Sequence, residues 1–275
     1  MTEPGPEHSE FDDKKREYFF RLGLRTRQAL KLHSLPLNPK SGPKGGGLWN
    51  RRDDDPKRER DWGNVSEHTH VAAARCEIFA DLLGLSSSVK DSLMLAAEAH
   101  DFYKRGFKEA TRNSPDPRGD TLCAEQESMR IIGQSGLPKE TIEILNILGG
   151  ANIPLAGKIV EQAELSELDL AKLALRYVDD YSVGSDWVET ISPDGKNNLD
   201  RRVDNNEAKP KYRENSEQWR ETLGGESLHE AQRRVGHVVE AKLSQIISEN
   251  IESPIQPSRL PEFIDENIRQ RISAM

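Results

Sequence analysis

Apolar residues in this chain recur at helical spacing, and no stretch alternates between apolar and polar residues from one position to the next. The helical pattern is strongest in the segment that follows Ser166 and Asp169, a pair typical of a helix start. Several apolar residues of that segment would lie on one buried helix face: Leu170, Leu173, Ala174, Tyr177 and Val178. Because half-buried strands require an alternating pattern, we predict an all-α fold.

The helical and irregular stretches divide the chain into four parts. We expect an N-terminal helix and a basic loop rich in glycine and proline in residues 1–61, followed by a helical core in residues 62–184. Residues 185–217 lack sustained periodicity and are predicted to form an irregular loop or lid. C-terminal helices in residues 218–275 would then pack on the core. A chain of 275 residues has room for one sizeable core of this kind.

Composition and charge limit the classes of function. The net charge of -8 argues against a protein whose whole surface follows a nucleic-acid backbone, although basic clusters in residues 51–60 and 201–213 can hold phosphates locally. Cys76 and Cys123 form no disulfide framework, which suits a reducing compartment. The chain shows no charged-then-apolar leader and no apolar run of the roughly 18 residues that cross a bilayer. We therefore expect a cytoplasmic protein with no membrane partner.

Candidate metal ligands lie at the ends of predicted helices. Asn64 and Glu67 form a capping pair at the start of one helix, which places His68 in the first turn. The next helix carries His100 and Asp101 near its end, and the link between the two helices is short. An antiparallel hairpin would therefore bring two imidazoles and one carboxylate to the same end of the bundle.

A further carboxylate can come from a third predicted helix, which carries Asp179 and Asp180 near its end. The helix dipole disfavours an aspartate in the last turn, and a nearby cation would offset this cost. Mixed nitrogen and oxygen ligands suit Mn, Fe, Co, Ni, Zn or Mg. His70 is two residues from His68 and lies on a different helix face, so we do not expect it to bind the same ion.

These residues resemble the H…HD…D signature of the HD-domain metal-dependent phosphohydrolases, over about residues 62–184. Residues 96–104, AAEAHDFYK, are similar to the family's LLHDxxK segment, and residues 177–181, YVDDY, resemble its ADxL ending. Residues 64–69, NVSEHT, are similar to the NVSEHS of the deoxynucleoside 5'-monophosphatase branch. The chain is thus similar to this family in the order and context of its candidate ligands.

The resemblance implies an HD-domain-like helical bundle with residues 185–217 as a long irregular insertion. It implies that one divalent metal ion is held by four ligands: His68, His100, Asp101 and Asp179. Asp180 is then only a neighbour of the last ligand. Family members with two metal ions have further histidines before that aspartate, whereas no histidine lies between residues 100 and 229 in this chain. We therefore expect a single metal ion.

The activity that the resemblance implies is hydrolysis of a phosphoester on a nucleotide or a related small phosphorylated metabolite. Asp101 would bind the metal and orient a water molecule, and Lys104 would take part in catalysis. Lys104 and Arg105 would bind the phosphate of the substrate, because phosphoryl transfer requires charge neutralisation.

Two other functions are compatible with these residues. A nuclease or cyclic-nucleotide phosphodiesterase would use the same ligands, and the basic cluster in residues 51–60 favours it, but the acidic net charge makes nucleic acid a less expected partner. A non-catalytic scaffold of this fold would bind a nucleotide or a partner protein without turnover. Such a scaffold would not need every metal ligand, which favours the enzyme. The oligomeric state is left open.

Overall fold

The computed structural model describes residues 10–34, 63–111, 114–182 and 198–275. No strand occurs within these residues, which confirms the predicted all-α fold. In the same part of the chain, no helix is both long and apolar enough to cross a membrane. The predicted basic loop around residues 36–61 lies outside the described residues.

The helices are numbered in chain order. The α-helices are α1 (Glu10–Arg25), α2 (Arg27–Leu30), α3 (Gly63–Leu82), α4 (Ser87–Ala99), α5 (Lys104–Thr111), α6 (Pro117–Gly133), α7 (Lys139–Leu145), α8 (Ile153–Val160), α9 (Glu167–Tyr181), α10 (Leu199–Glu207), α11 (Pro210–Glu217), α12 (Leu228–Asn250) and α13 (Leu260–Ser273). Three short 3-10 helices accompany them within the described residues: Lys31–Ser34, Gly150–Asn152 and Pro257–Arg259.

The centre of the fold is the hairpin of α3 and α4, and α9 packs on both of its helices. Gly84 makes the turn with a positive φ of 68°, which a residue without Cβ adopts at no steric cost. The N–H of Leu85 donates to the carbonyl of Ala80 at 2.9 Å and closes the end of α3. The predicted hairpin is therefore present, and it places the start of α3 beside the end of α4.

The predicted start of α9 is confirmed in detail. The hydroxyl of Ser166 accepts from the backbone N–H of Asp169 at 3.1 Å, and the Asp169 carboxylate accepts from the backbone N–H of Ser166 at 3.2 Å. The helix then buries the apolar residues Leu173, Ala174 and Tyr177 completely. This reciprocal cap sets the register of α9 and hence the positions of the aspartates in its last turn.

The prediction of an irregular segment for residues 185–217 is wrong from residue 199 onward, where α10 and α11 lie. These helices have nine and eight residues, too few for a sustained periodic pattern. Asn198 caps α10 by accepting from the N–H of Arg201 at 3.2 Å. Burial of Leu199 and Val203, one turn apart, stabilises α10.

Close packing holds α10 against α9 and α12. A Cβ added at Gly236 of α12 would lie 2.4 Å from the Leu199 side chain, so a glycine is needed for this approach. Arg233 donates to Asp204 at 2.6 Å, and His237 lies 3.0 Å from Asp200. Both contacts join α12 to α10, which gives α10 a defined position beside the end of α9.

The C-terminal helices predicted in residues 218–275 correspond to α12 and α13. α13 packs on α3, where the buried guanidinium of Arg75 donates to both carboxylate oxygens of Asp265, at 2.9 and 3.1 Å. Arg75 also donates to the hydroxyl of Ser182 at 2.8 Å. This buried contact joins α3, α13 and the residue that follows α9.

Candidate metal centre

His68 lies near the start of α3 and is 8% exposed. Burial, together with the neighbouring His100, lowers the pKa of His68 from 6.5 to about 3. The imidazole is therefore neutral at ordinary pH, as a metal ligand must be. The side chains of Asn64 and Glu67, the predicted capping pair, lie outside the described residues.

His100 directly follows α4, and the helix orients its ring. Nδ1 lies 2.6 Å from the carbonyl oxygen of Ala97. Because a carbonyl oxygen only accepts, Nδ1 carries the proton, and in the neutral imidazole Nε2 keeps the lone pair. Nε2 is buried and has no hydrogen-bond partner among the described residues. A buried polar atom in that state is costly unless a cation or a hydrogen-bond donor such as water binds its lone pair.

Asp179 lies in the last turn of α9 and faces His100, whose Nε2 is 3.6 Å from Asp179 Oδ1. Asp180 is buried and points elsewhere. Its carboxylate accepts from Arg176 at 2.7 Å and from Gln232 at 2.8 Å. The structure therefore places Asp179, and not Asp180, beside the two histidines.

His68, His100 and Asp179 form a compact group of potential metal ligands, called the His-His-Asp group below. One ligand atom from each residue lies within 4.8 Å of the others, and the two imidazole rings are 5.2 Å apart between centroids. Two nitrogens and a carboxylate suit a divalent ion, and three protein ligands leave coordination positions open. The group can therefore hold a metal ion. No second group of this kind occurs in the part of the chain that the structure describes.

Asp101, the fourth predicted ligand, stands at the edge of this group. Its Oδ2 is 3.9 Å from His100 Nε2, and both of its oxygens accept from Lys104 Nζ, at 3.1 and 2.9 Å. Burial would raise the pKa of Asp101, but Lys104 and His100 outweigh burial and lower it. Asp101 is therefore ionised and pairs with Lys104, while three of the four predicted ligands form the close group.

Lys104, the first residue of α5, borders the site through its contact with Asp101. The Asp101 carboxylate raises the pKa of Lys104, and burial opposes this effect only in part. Lys104 is thus a cation within reach of the His-His-Asp group. The side chain of Arg105, the other predicted phosphate-binding residue, lies outside the described residues.

Arg202 on α10 is a second cation at the site, and the sequence does not single it out. Nη1 of Arg202 donates to the carbonyl oxygens of Asp179 and Ser182, and Nη2 lies 3.6 Å from Asp179 Oδ1. Burial would raise the pKa of Asp179, but Arg202 and His100 lower it. In the sequence Arg202 is one of several basic residues in 201–213. The only local signal was Asn198, whose capping role could have indicated that Arg202 lies in the first turn of a helix.

His70 lies outside the His-His-Asp group, as predicted from its position on a different helix face from His68. Its Nδ1 is 2.7 Å from a carboxylate oxygen of Glu98, and its Nε2 is 2.8 Å from the carbonyl oxygen of Phe19. The fully buried Glu98 also accepts from the hydroxyls of Thr26 at 3.0 Å and Thr69 at 3.3 Å. This polar network ties the N-terminal helices to the α3–α4 hairpin behind the ligands.

Comparisons with protein-family models, with curated proteins and with solved structures found no match to this chain. The resemblance to the HD-domain family therefore stays a prediction from the sequence motifs. What the structure adds is independent of that resemblance: a partly buried group of two histidines and an aspartate that can hold a metal ion, bordered by Asp101, Lys104 and Arg202.

Proposed function

We propose that this chain is a metal-dependent phosphohydrolase of the HD type, which cleaves a phosphoester of a nucleotide or a related small phosphorylated metabolite. The observation that carries the proposal is the His-His-Asp group, in which the buried Nε2 of His100 has no hydrogen-bond partner among the described residues. The order of His68, the His100-Asp101 pair and Asp179 along the sequence supports it further.

The donor set fits a divalent cation, which His68, His100 and Asp179 would hold. Two neutral imidazole nitrogens and one carboxylate oxygen match Mn, Fe, Co, Ni or Zn, and Mg with more difficulty because it prefers oxygen. When bound, such an ion supplies Lewis-acid chemistry, which polarises a phosphoryl group and makes water more acidic. The protein holds these ligands on three helices, so their separation is set by helix packing.

Asp101 is the residue we assign to proton transfer. Its carboxylate is ionised and lies 3.9 Å from His100 Nε2, at the edge of the ligand group. From there it would orient a water molecule and accept a proton from it. Lys104 keeps this carboxylate ionised and places a positive charge beside the phosphoryl group, where negative charge develops.

The acidic protein favours a small substrate over a nucleic acid. A net charge of -8 repels a polyanion over most of the surface, whereas the cations at the site act over a few ångströms. A nucleotide or another small phosphorylated metabolite meets only the local charge. This difference supports the small-molecule substrate.

The test is metal loading followed by a substrate panel. The protein would be stripped with a chelator, reloaded with each divalent ion and analysed for bound metal by mass spectrometry. Phosphate release would then be measured from nucleoside monophosphates and triphosphates, cyclic dinucleotides and short oligonucleotides. Asp101→Ala tests the proton-transfer role, and Glu214→Gln, an exposed acidic residue on α11, is the matched control.

We expect metal-dependent phosphate release from at least one small substrate, its loss in Asp101→Ala, and wild-type turnover in Glu214→Gln. Absence of both bound metal and turnover with every ion would overturn the proposal. Cleavage of oligonucleotides alone would replace it with a nuclease.

A further inference from the structure

Arg202 reaches the metal centre from a helix that contributes no ligand to it. Its side chain is 23% exposed, so the guanidinium is partly shielded from water and partly open. Nη1 donates to the carbonyl oxygens of Asp179 and Ser182, the latter at 2.7 Å. Helix α10 is itself fastened to α12 through Asp204 and Arg233 at 2.6 Å. The guanidinium therefore has a defined position rather than that of a mobile surface arginine.

One part of this guanidinium is available to a further acceptor. Nη2 lies 3.6 Å from Asp179 Oδ1, which is beyond hydrogen-bond distance. The planar guanidinium of arginine carries five N–H donors, and the two carbonyl contacts are made by Nη1, which leaves the donors of Nη2, 3.6 Å from Asp179 Oδ1, for a further acceptor. An anion placed at the His-His-Asp group would thus meet a preoriented donor.

The charges around the centre indicate the charge of that anion. Asp101 and Asp179 are balanced by Lys104 and Arg202, which contact them at 2.9 and 3.6 Å. The imidazoles of His68 and His100 add no charge when they act as ligands. A divalent ion in the group would leave an excess of two positive charges. A phosphate monoester carries about two negative charges near neutral pH, whereas a phosphodiester carries one.

We propose that Arg202 binds the phosphate group of the substrate and that the substrate is a phosphate monoester in its dianionic form. This inference rests on the proposed function, because it assumes that the His-His-Asp group holds a divalent ion. It goes beyond that function in two respects. It assigns a substrate-binding residue on α10, and it selects phosphomonoesters over phosphodiesters.

A purely structural role of Arg202 is the competing explanation, because Nη1 caps the last turn of α9. A capping residue would change the stability of the protein when replaced, and it would leave anion affinity unchanged in variants that stay folded and loaded. A substrate-binding residue would change anion affinity without changing the metal content. The two roles therefore predict different phosphate affinities, and phosphate affinity can be measured without turnover.

The experiment measures binding of inorganic phosphate to the metal-loaded protein by calorimetry, at about pH 8 where the dianion prevails. Arg202→Gln removes the charge, Arg202→Lys keeps the charge but lacks the planar fork, and Arg130→Gln on α6 removes an exposed charge outside the basic clusters as the control. Metal content and melting temperature are recorded for each variant. Phenyl phosphate and dimethyl phosphate are compared as dianionic and monoanionic competitors.

We expect Arg202→Gln to weaken phosphate binding about 10- to 100-fold with metal content unchanged, since a hydrogen bond to a charged group is lost. Arg202→Lys should fall between this variant and the wild type, and the control should stay within about twofold of the wild type. Phenyl phosphate should displace phosphate better than dimethyl phosphate.

Wild-type phosphate affinity in folded, metal-loaded Arg202→Gln would overturn the inference. If that variant fails to fold or to hold metal, wild-type affinity in Arg202→Lys would do the same, as would a preference of the wild type for dimethyl phosphate. Phosphate binding that depends on Arg202 in a protein without turnover would support the binding role while the hydrolase proposal fails. Turnover that does not depend on Arg202 would support the hydrolase proposal while the binding role of Arg202 fails.

Discussion

The Nδ1–H of His100 donates to the carbonyl oxygen of Ala97, 2.6 Å away and one helical turn earlier. This contact selects the tautomer with the lone pair on Nε2, the atom that faces Asp179 and has no hydrogen-bond partner in the described chain. The backbone of α4 thus prepares the imidazole to bind a cation.

Removal of His100 is therefore expected to abolish tight metal binding. His100→Ala should lose more affinity than the roughly 10- to 100-fold typical of outer-shell partners, because a direct ligand is removed. Competition with a metal-sensitive dye measures this loss. His237→Gln, which removes an imidazole that is 44% exposed on α12, should bind metal like the wild type. Equal affinities of the two variants would show that the metal binds elsewhere.

Substitution of each of the three aspartates near the site should have a different effect, because their contacts differ. Asp179→Asn changes a direct ligand and should weaken metal binding by more than the roughly 10- to 100-fold typical of outer-shell partners, and by more than Asp101→Asn, whose carboxylate pairs with Lys104. Asp180→Asn should instead lower stability by about 1 to 3 kcal/mol, because the buried Arg176 loses its charged acceptor. Metal titration and urea denaturation of the three variants provide the comparison. A larger metal defect in Asp180→Asn than in Asp179→Asn would reverse the assignment.

The buried pair of Arg75 and Asp265 should contribute strongly to the stability of the end of α9. Asp265→Ala leaves the Arg75 guanidinium buried without its carboxylate, and we expect the free energy of unfolding to fall by about 3 to 5 kcal/mol. Glu262→Gln interrupts a surface ion pair with the exposed Arg259 and should change the free energy of unfolding by less than about 1 kcal/mol. Urea denaturation followed by circular dichroism measures both changes. Similar effects of the two substitutions would contradict this role.

The contact between α10 and α12 should depend on pH through His237. Burial alone would lower the pKa of His237, but the carboxylates of Asp200 and Glu240 outweigh it and raise the pKa above 6.5. Stability from this contact is therefore fully present below about pH 6.5 and is lost as the pH rises through the folded-state pKa. NMR titration of the imidazole checks the direction, and Asp200→Asn should lower the pKa. A wild-type pKa at or below 6.5 would refute the expectation.

Features that depend on one or two helical turns were predictable from the sequence. The reciprocal cap of Ser166 and Asp169, the turn at Gly84 and the absence of alternating stretches all act locally, and each is present in the structure. Local rules failed for α10, because its stability comes from burying Leu199 and Val203 against helices distant in the chain. Its few residues could not form a periodic pattern of their own.

The sequence by itself determined the helical class, the hairpin of α3 and α4 and the start of α9, since caps and apolar periodicity act within each segment. Only the tertiary structure decided which side chains meet. It turned Asp179 toward His100, paired Asp101 with Lys104 and brought Arg202 to the site from α10. These contacts depend on how each helix is rotated and packed against residues far away in the chain, and no local pattern encodes that rotation.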